Sequence, residues 1–340
     1  MFRAGKIYSS DPILLQNALD FFVEWSREEA EIKVDTSGST GKPKEILLKK
    51  SQLILSASKT NQYFNLNIRT KAFLCLSTET IAGKMMLVRA FVGDYEIRIE
   101  QASLNPLKDC EESLDFMAIV PLQLATILDE SSEKLALVKT IIVGGAPVSN
   151  HLTAKLKTLK KSIFQTFGMT ETVSHIALRK IGFEESDSYE ALQGVTFTAP
   201  EGNLEIHYPE LLPQSLLTTD FVRLIDSTHF EWIGRTDFII NSGGVKLNPE
   251  AIEQKLASLL NIPFFISTIS DDLLGNKLTL VLESKLDSPF KKSDFETLLT
   301  KYEIPKMFAI IPTFERTSSG KINRKATTSK ILANDWKPIL

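Results

Sequence analysis

The segment Thr36-Ser37-Gly38-Ser39-Thr40-Gly41-Lys42-Pro43-Lys44 gathers four hydroxyls, two glycines and two lysines into nine residues. Small residues let consecutive backbone N–H groups converge on an anion; hydroxyls add donors and lysine adds charge. The composition suits a phosphate cradle, and equally a solvated surface loop, which Gly/Ser/Thr clusters also form. It is not the P-loop NTPase pattern, because Gly38 does not stand four residues before a Gly-Lys-Ser/Thr and Pro43 follows Lys42.

A second candidate is Gln165-Thr166-Phe167-Gly168-Met169-Thr170-Glu171-Thr172, which follows an apolar run. Gly168 allows a tight turn, Thr170 can hydrogen-bond a phosphate, Glu171 is a hard oxygen ligand suited to Mg²⁺, and Phe167 offers a face to a nucleobase. The alternative is a strand-end turn with a solvated Glu. Gly144-Gly145-Ala146-Pro147 ends another apolar run and also reads as an ordinary strand-to-helix turn.

Thr218-Thr219-Asp220 precedes Gly234-Arg235-Thr236-Asp237. A carboxylate can accept from both hydroxyls of a ribose, and an arginine can reinforce that site. A turn Asp and a surface Arg explain them as well. Asn241-Ser242-Gly243-Gly244-Val245-Lys246 is a thin loop or a hairpin turn. Arg316-Thr317-Ser318-Ser319-Gly320-Lys321-Ile322-Asn323-Arg324-Lys325 is a basic stretch near the C-terminus, either a solvated tail or an anion contact.

Taken in this order, the segments resemble the motifs of the adenylate-forming superfamily: acyl-CoA synthetases, peptide-synthetase adenylation domains and firefly luciferase. The resemblance runs from about residue 30 to the end. It implies that Thr36–Lys44 wraps the β- and γ-phosphates of ATP and that Gly145, Ala146 and Pro147 flank adenine. Phe167, where the family has Tyr, stacks on the base; Gly168, Met169 and Thr170 complete that loop, and Glu171 holds the metal. It further implies that Asp220 and Arg235 take the ribose, Asp237 is the hinge of a mobile small domain, and Gly243 and Gly244 approach the arm of coenzyme A. Lys321 would be the lysine that reaches the α-phosphate during adenylation.

The resemblance is nearest to short o-succinylbenzoate–CoA ligases, through Ser77–Met86 and Ile119–Leu124. Thr80 stands where many of those carry histidine. A dianionic acid needs cations or hydroxyls in its pocket; Thr80, Lys84, Arg89, Ser174 and His175 are the candidates. An acyl-CoA ligase for another acid, a carrier-loading adenylation domain and a non-catalytic nucleotide-binding relative are the rival readings. The expected cofactors are ATP, Mg²⁺ and coenzyme A, and the expected partner is a small-molecule carboxylic acid.

The elements that must position these groups fall into an α/β fold. Between about residues 70 and 166, strands Lys71–Ser77, Glu96–Glu100, Phe116–Pro121, Thr140–Gly144 and Ser162–Thr166 alternate with helices Gly83–Phe91, Leu122–Asp129 and Asn150–Lys160, which predicts a largely parallel sheet. From 175 to 235, short β-branched and aromatic runs predict a β-rich subdomain. Asp11-Pro12 starts a helix with Leu15, Leu19 and Phe22 on one face. Past Arg235 a small α+β unit follows, with a helix capped by Asn248-Pro249, another at Ser293–Tyr302, and strands Phe264–Ser270, Leu278–Glu283 and Phe308–Pro312. The expected domains are 1–236, with a shortened N-terminal part, and 237–340, which carries Lys321.

Composition sets the outer limits. With 340 residues, 43% hydrophobic and 24% charged, the chain is that of a globular protein of one large and one small domain. A net charge of −3 offers no basic footprint for nucleic acid. No apolar run is long enough to span a bilayer. Met1–Ser10 lacks an apolar signal core, and Cys75 and Cys110 have no metal-like spacing, so reduced thiols in a cytoplasm are expected. His151, His175, His207 and His229 share no metal-ligand spacing.

Overall fold

Among the described residues, short apolar runs assemble into one twelve-stranded sheet, a separate four-stranded sheet and two two-stranded pairs. The computed structural model describes residues 3–35, 45–236, 239–257, 259–260, 262–271, 274–285, 291–316 and 322–339. The first part of the chain runs β1 (Ile7–Tyr8), α1 (Pro12–Ser26), β2 (Glu31–Asp35), β3 (Glu45–Lys49), α2 (Lys50–Tyr63), β4 (Lys71–Leu74), α3 (Ile81–Gly93), β5 (Glu96–Ile99), β6 (Leu114–Ile119), α4 (Pro121–Glu130), β7 (Val138–Val143), α5 (Asn150–Thr158) and β8 (Ser162–Gly168). Then come β9 (His175–Gly182), β10 (Tyr189–Ala191), β11 (Thr196–Thr198), β12 (Asn203–His207), β13 (Leu216–Leu224) and β14 (His229–Arg235). The last part is β15 (Ile240–Ser242), β16 (Val245–Leu247), α6 (Pro249–Leu256), β17 (Phe264–Asp271), β18 (Gly275–Glu283), β19 (Met307–Ile311), α7 (Arg324–Thr328) and β20 (Lys337–Pro338).

The large sheet has the order β1-β5-β4-β6-β7-β8-β9-β10-β14-β13-β12-β11. Its neighbours are parallel from β1 to β8 and antiparallel from the β8–β9 pair onward. Helical crossovers impose the first half, since parallel strands need long connections; a short turn suffices between β8 and β9. Successive side chains alternate between faces. Ala72 and Leu74 of β4 join a core with Met85 to Ala90 of α3, while Phe73 and Cys75 join a second core with Leu124 and Ile127 of α4. A third core, including Ile252, Leu256, Leu278, Leu280 and Phe308, belongs wholly to the last hundred residues.

Local signals account for much of this. Asp11 caps α1 by accepting from the backbone of Ile13 and Leu14, and Asn248 caps α6 through Glu250 and Ala251. The buried face of α1 centres on Ala18 and Phe21; Leu15, Leu19 and Phe22 pack partly buried beside it. Phe21 stacks on Phe91 with ring centroids 6.0 Å apart, which turns the helix onto that face. The helix expected over Ser293–Tyr302 is instead a 3₁₀ turn at Lys292–Asp294 followed by separate turns. Phe295 and Leu299 anchor those turns in the third core, and one i,i+4 anchor pair is too short a stretch to propagate a helix. The helix α2 and the strand pair β2–β3 were not among the expected elements, although Ile32 and Val34 of β2 alternate with exposed Glu31 and Lys33 as a half-buried strand does.

Candidate active site

The expected adenine-side residues, Gly145 to Pro147 and Phe167 to Met169, lie at or just past the carboxyl ends of β7 and β8, where ligands bind in open α/β sheets. Val120 follows β6, Gly144 and Gly145 follow β7, and Thr166 to Gly168 end β8. The Gly144 N–H donates to the Ile119 carbonyl at 3.1 Å. A Cβ on Gly144 would come within 2.4 Å of Thr166 Oγ1, so a larger residue would require the Thr166 hydroxyl to turn away. Ala146 is half-buried and Pro147 exposed.

Phe167 is half-buried on an aromatic cluster, with ring centroids 5.0 Å from Phe230 and 5.7 Å from Tyr189. Gly168 then approaches the returning strand: a Cβ there would lie 2.4 Å from the Ser174 carbonyl oxygen and 2.5 Å from His175 Cα. Met169 leads into a 3₁₀ turn, Thr170–Thr172, tied by the Thr172 hydroxyl. Glu171 is exposed in that turn, and among the described residues nothing donates to its carboxylate. Val173 follows at φ 66° and ψ −53°. A buried β-branched residue in that region carries strain of order 1–3 kcal/mol.

Ser174 and His175 come out of this turn beside Arg89. Arg89 lies on α3 at 2% exposure. Its Nη2 donates to Ser174 Oγ at 2.8 Å and faces His175 Nδ1 at 3.5 Å. His175 Nε2 lies 3.1 Å from Thr60 Oγ1, whose hydroxyl donates to the Ser56 carbonyl. A guanidinium can only donate, and the Ser56 bond uses the threonine proton, so this network assigns the ring proton to Nε2. Burial, and then the Arg89 charge, hold His175 well below the ordinary histidine range. Burial pushes Arg89 down to about 10. Arg89 has no acidic partner among the described residues, and its Nε makes no hydrogen bond.

Two other pocket candidates also make structural hydrogen bonds. Thr80 caps α3, donating to the Ser77 carbonyl at 2.8 Å and accepting from Gly83 N–H at 3.3 Å. Lys84 donates to the Lys33 carbonyl of β2 at 2.7 Å and lies over the Phe21 ring. It therefore braces the strand that leads into 36–44.

Asp220 and Arg235 are direct cross-strand partners in β13 and β14. Trp232 Nε1 donates to Asp220 Oδ1 at 2.9 Å, and Arg235 Nη2 to Thr219 Oγ1 at 2.8 Å. The backbone N–H of Arg235 donates to Glu250 of α6 at 2.7 Å. Gly243 and Gly244 form the β15–β16 hairpin turn, with φ of 58° and 81°. Of the remaining expected residues, Thr36, Ser37, Gly38, Ser39, Thr40, Gly41, Lys44, Asp237 and Lys321 lie outside the described residues.

A pair not singled out in the sequence borders the Lys321 segment. Arg324 grips Glu253 of α6 through two bonds of 2.8 Å. Burial pushes Glu253 up to about 7 against the pull of that arginine. Its signal was a basic residue three positions past Lys321, which needs a partner in the fold to be noticed.

Comparison with known proteins identifies the family and the fold. The family model described as "AMP-binding enzyme" matches residues 36–207, just over half of the 340-residue chain. An acyl-CoA synthetase (AMP-forming)/AMP-acid ligase II-like protein of Dyadobacter fermentans is 34% identical, covers 94% of this chain and 95% of its own, and superposes with a TM-score of 0.63. A 2-succinylbenzoate–CoA ligase of Listeria monocytogenes is 26% identical over 88% of this chain and 70% of its own length. The Bacillus subtilis o-succinylbenzoate–CoA synthetase, solved with an acyl-adenylate intermediate, shares the fold at a TM-score of 0.75 and 20% identity, covering 91% of this chain and 70% of its own. No helix among the described residues is long and apolar enough to cross a membrane. The chain belongs to the AMP-binding enzyme family of adenylate-forming acid–CoA ligases.

Proposed function

We propose that this chain activates o-succinylbenzoate as its acyl-adenylate, consuming ATP and releasing pyrophosphate, and then transfers the acyl group to coenzyme A. The observation that carries the choice of acid is Arg89, a buried guanidinium beside Ser174 with no acidic partner among the described residues. A buried cation is costly unless something anionic meets it. An acid with a second carboxylate, remote from the one that reacts, supplies that charge. Several relatives named 2-succinylbenzoate–CoA ligase support the same choice.

The reading of the remaining residues follows. Phe167 takes adenine; Asp220 and Arg235 take the ribose; Thr36–Lys44 takes the β- and γ-phosphates. Among the described residues no cluster of three metal-ligating side chains exists. A lone exposed carboxylate, Glu171, next to Thr170, fits Mg²⁺, which takes most of its oxygens from phosphates and water. Bound there, Mg²⁺ supplies neutralisation of phosphate charge. The acid's reacting carboxylate oxygen forms a bond to the α-phosphorus as the bond to pyrophosphate breaks. Lys321 offsets the charge that develops. The thiol sulfur then attacks the acyl carbon and AMP leaves. The separate core of the last hundred residues supports a boundary at Thr236–Asp237 and a small domain that turns about Asp237, withdrawing Lys321 and presenting Gly243 and Gly244.

The test is pyrophosphate release from ATP with a panel of acids, with and without coenzyme A. O-succinylbenzoate is expected to give the highest kcat/KM, with benzoate and fatty acids far below. Equal turnover of a monocarboxylate would sink the choice of acid; no release with any acid would sink the ligase reading.

A further inference from the structure

The β8–β9 connection holds a backbone conformation that the mechanism above does not use. Val173 is 2% exposed and sits at positive φ, where a branched side chain is strained. The Ser174 N–H donates to the Thr172 carbonyl at 2.7 Å, closing a three-residue γ-turn. Thr172, fully buried, locks the step before it: its hydroxyl accepts from Met169 N–H at 3.1 Å and lies 3.0 and 2.9 Å from the carbonyls of Met169 and Ser174. Gly168 closes the far side against Ser174. Strain of this kind persists only where its surroundings over-determine it.

On the function proposed above, the two ends of the turn serve different ligands. Glu171 precedes it on the nucleotide side. Ser174 follows it and accepts from Arg89 on the acid side. We propose that the Val173 γ-turn is a rigid spacer that couples the two ligands. Because the locked turn moves only as one body, seating the acid on Arg89 and Ser174 restrains the whole turn, and with it Glu171, in the orientation that meets metal-bound ATP. By linkage, bound nucleotide tightens the acid by the same factor. Val173 and Thr172 are positioning residues that touch neither substrate. The proposal rests on the assignment of Glu171 to the metal and of Arg89 with Ser174 to the acid.

Binding of α,β-methylene-ATP, which cannot release pyrophosphate, is measured by calorimetry with Mg²⁺, with and without o-succinylbenzoate. The wild-type protein is expected to bind the analogue about tenfold tighter when the acid is present. Val173→Gly frees the turn and brings that ratio to about one; Thr172→Val does the same, and Thr172→Ser restores it. Undiminished synergy in V173G overturns the proposal. Melting supplies a second arm: Val173→Ala keeps a Cβ at positive φ, so V173G should melt at or above V173A, the reverse of the usual order. V173G melting below V173A also overturns it, whatever the acid. Should the wild type bind no o-succinylbenzoate, the acid assignment fails by itself. The turn is then judged by melting order and by the half-saturating Mg²⁺ for the analogue, which should rise several-fold in V173G and, if unchanged, refutes the spacer.

Discussion

Arg89 and Ser174 lie 85 residues apart in the chain, yet the arginine Nη2 donates to the serine hydroxyl at 2.8 Å. The bond joins α3, on one face of the parallel half of the sheet, to the turn that opens the antiparallel half. It fixes the guanidinium without neutralising it, since serine brings no charge. A buried positive charge held this way is a liability to the empty fold and an asset to an anionic ligand.

Arg89→Met removes the charge at similar volume. The melting temperature is expected to hold or rise, because an uncompensated buried cation disappears. The kcat/KM for o-succinylbenzoate should fall about 100-fold, the worth of one or two charge-assisted bonds. A collapse of stability, with equal loss for every acid, would mean that Arg89 only supports the fold.

Acid should weaken the protein through His175. Its folded pKa is depressed, so the unfolded chain binds the proton more readily. This contribution is complete above the unfolded value of about 6.5 and is lost as pH falls below it, with a slope of at most about 1.4 kcal/mol per pH unit. Urea midpoints from pH 7.5 to 5 should show the decline. His175→Gln, which cannot titrate, should flatten this part of it; an unchanged slope would assign the loss to other groups.

Gly168→Ala forces a methyl to within about 2.5 Å of backbone atoms at Ser174 and His175. Backbone cannot swing aside as a side-chain tip can. The variant should lose about 2–4 kcal/mol of stability and most pyrophosphate release, read by melting and by the release assay. Wild-type values in both would show that the hairpin is looser than its register indicates.

Lys321→Ala should abolish adenylation while sparing thioester formation from preformed acyl-AMP, since its charge serves only the phosphoryl step. Single-turnover measurement of each half-reaction separates the two. Equal loss in both would end that division of labour.

Much of this was legible in residue types. Asp11 and Asn248 announced their helices because capping is local chemistry. The alternation from Lys71 onward announced the parallel sheet because crossover length dictates strand direction. Gly168 was legible as a turn, but the backbone it approaches was not. The rest was hidden where distance in sequence decides. That Thr80 caps α3 and Lys84 bonds the Lys33 carbonyl was not visible in the residue types. The strain at Val173 has no signature in a valine. Turns such as those of 292–303 imitate a helical pattern because Phe295 and Leu299 share one buried side.

The junction of β8 with β9 also has a consequence for descent. The acid's proposed anchor, Arg89, comes from the parallel half; the proposed ribose pair, Asp220 and Arg235, comes from the antiparallel half. Mutations in α3 therefore reach the acid's proposed anchor without altering either residue of the ribose pair. Lineages of this architecture have a ready route to new metabolites: drift on one flank, constancy on the other, with the Gly168–His175 bend as the frontier between them.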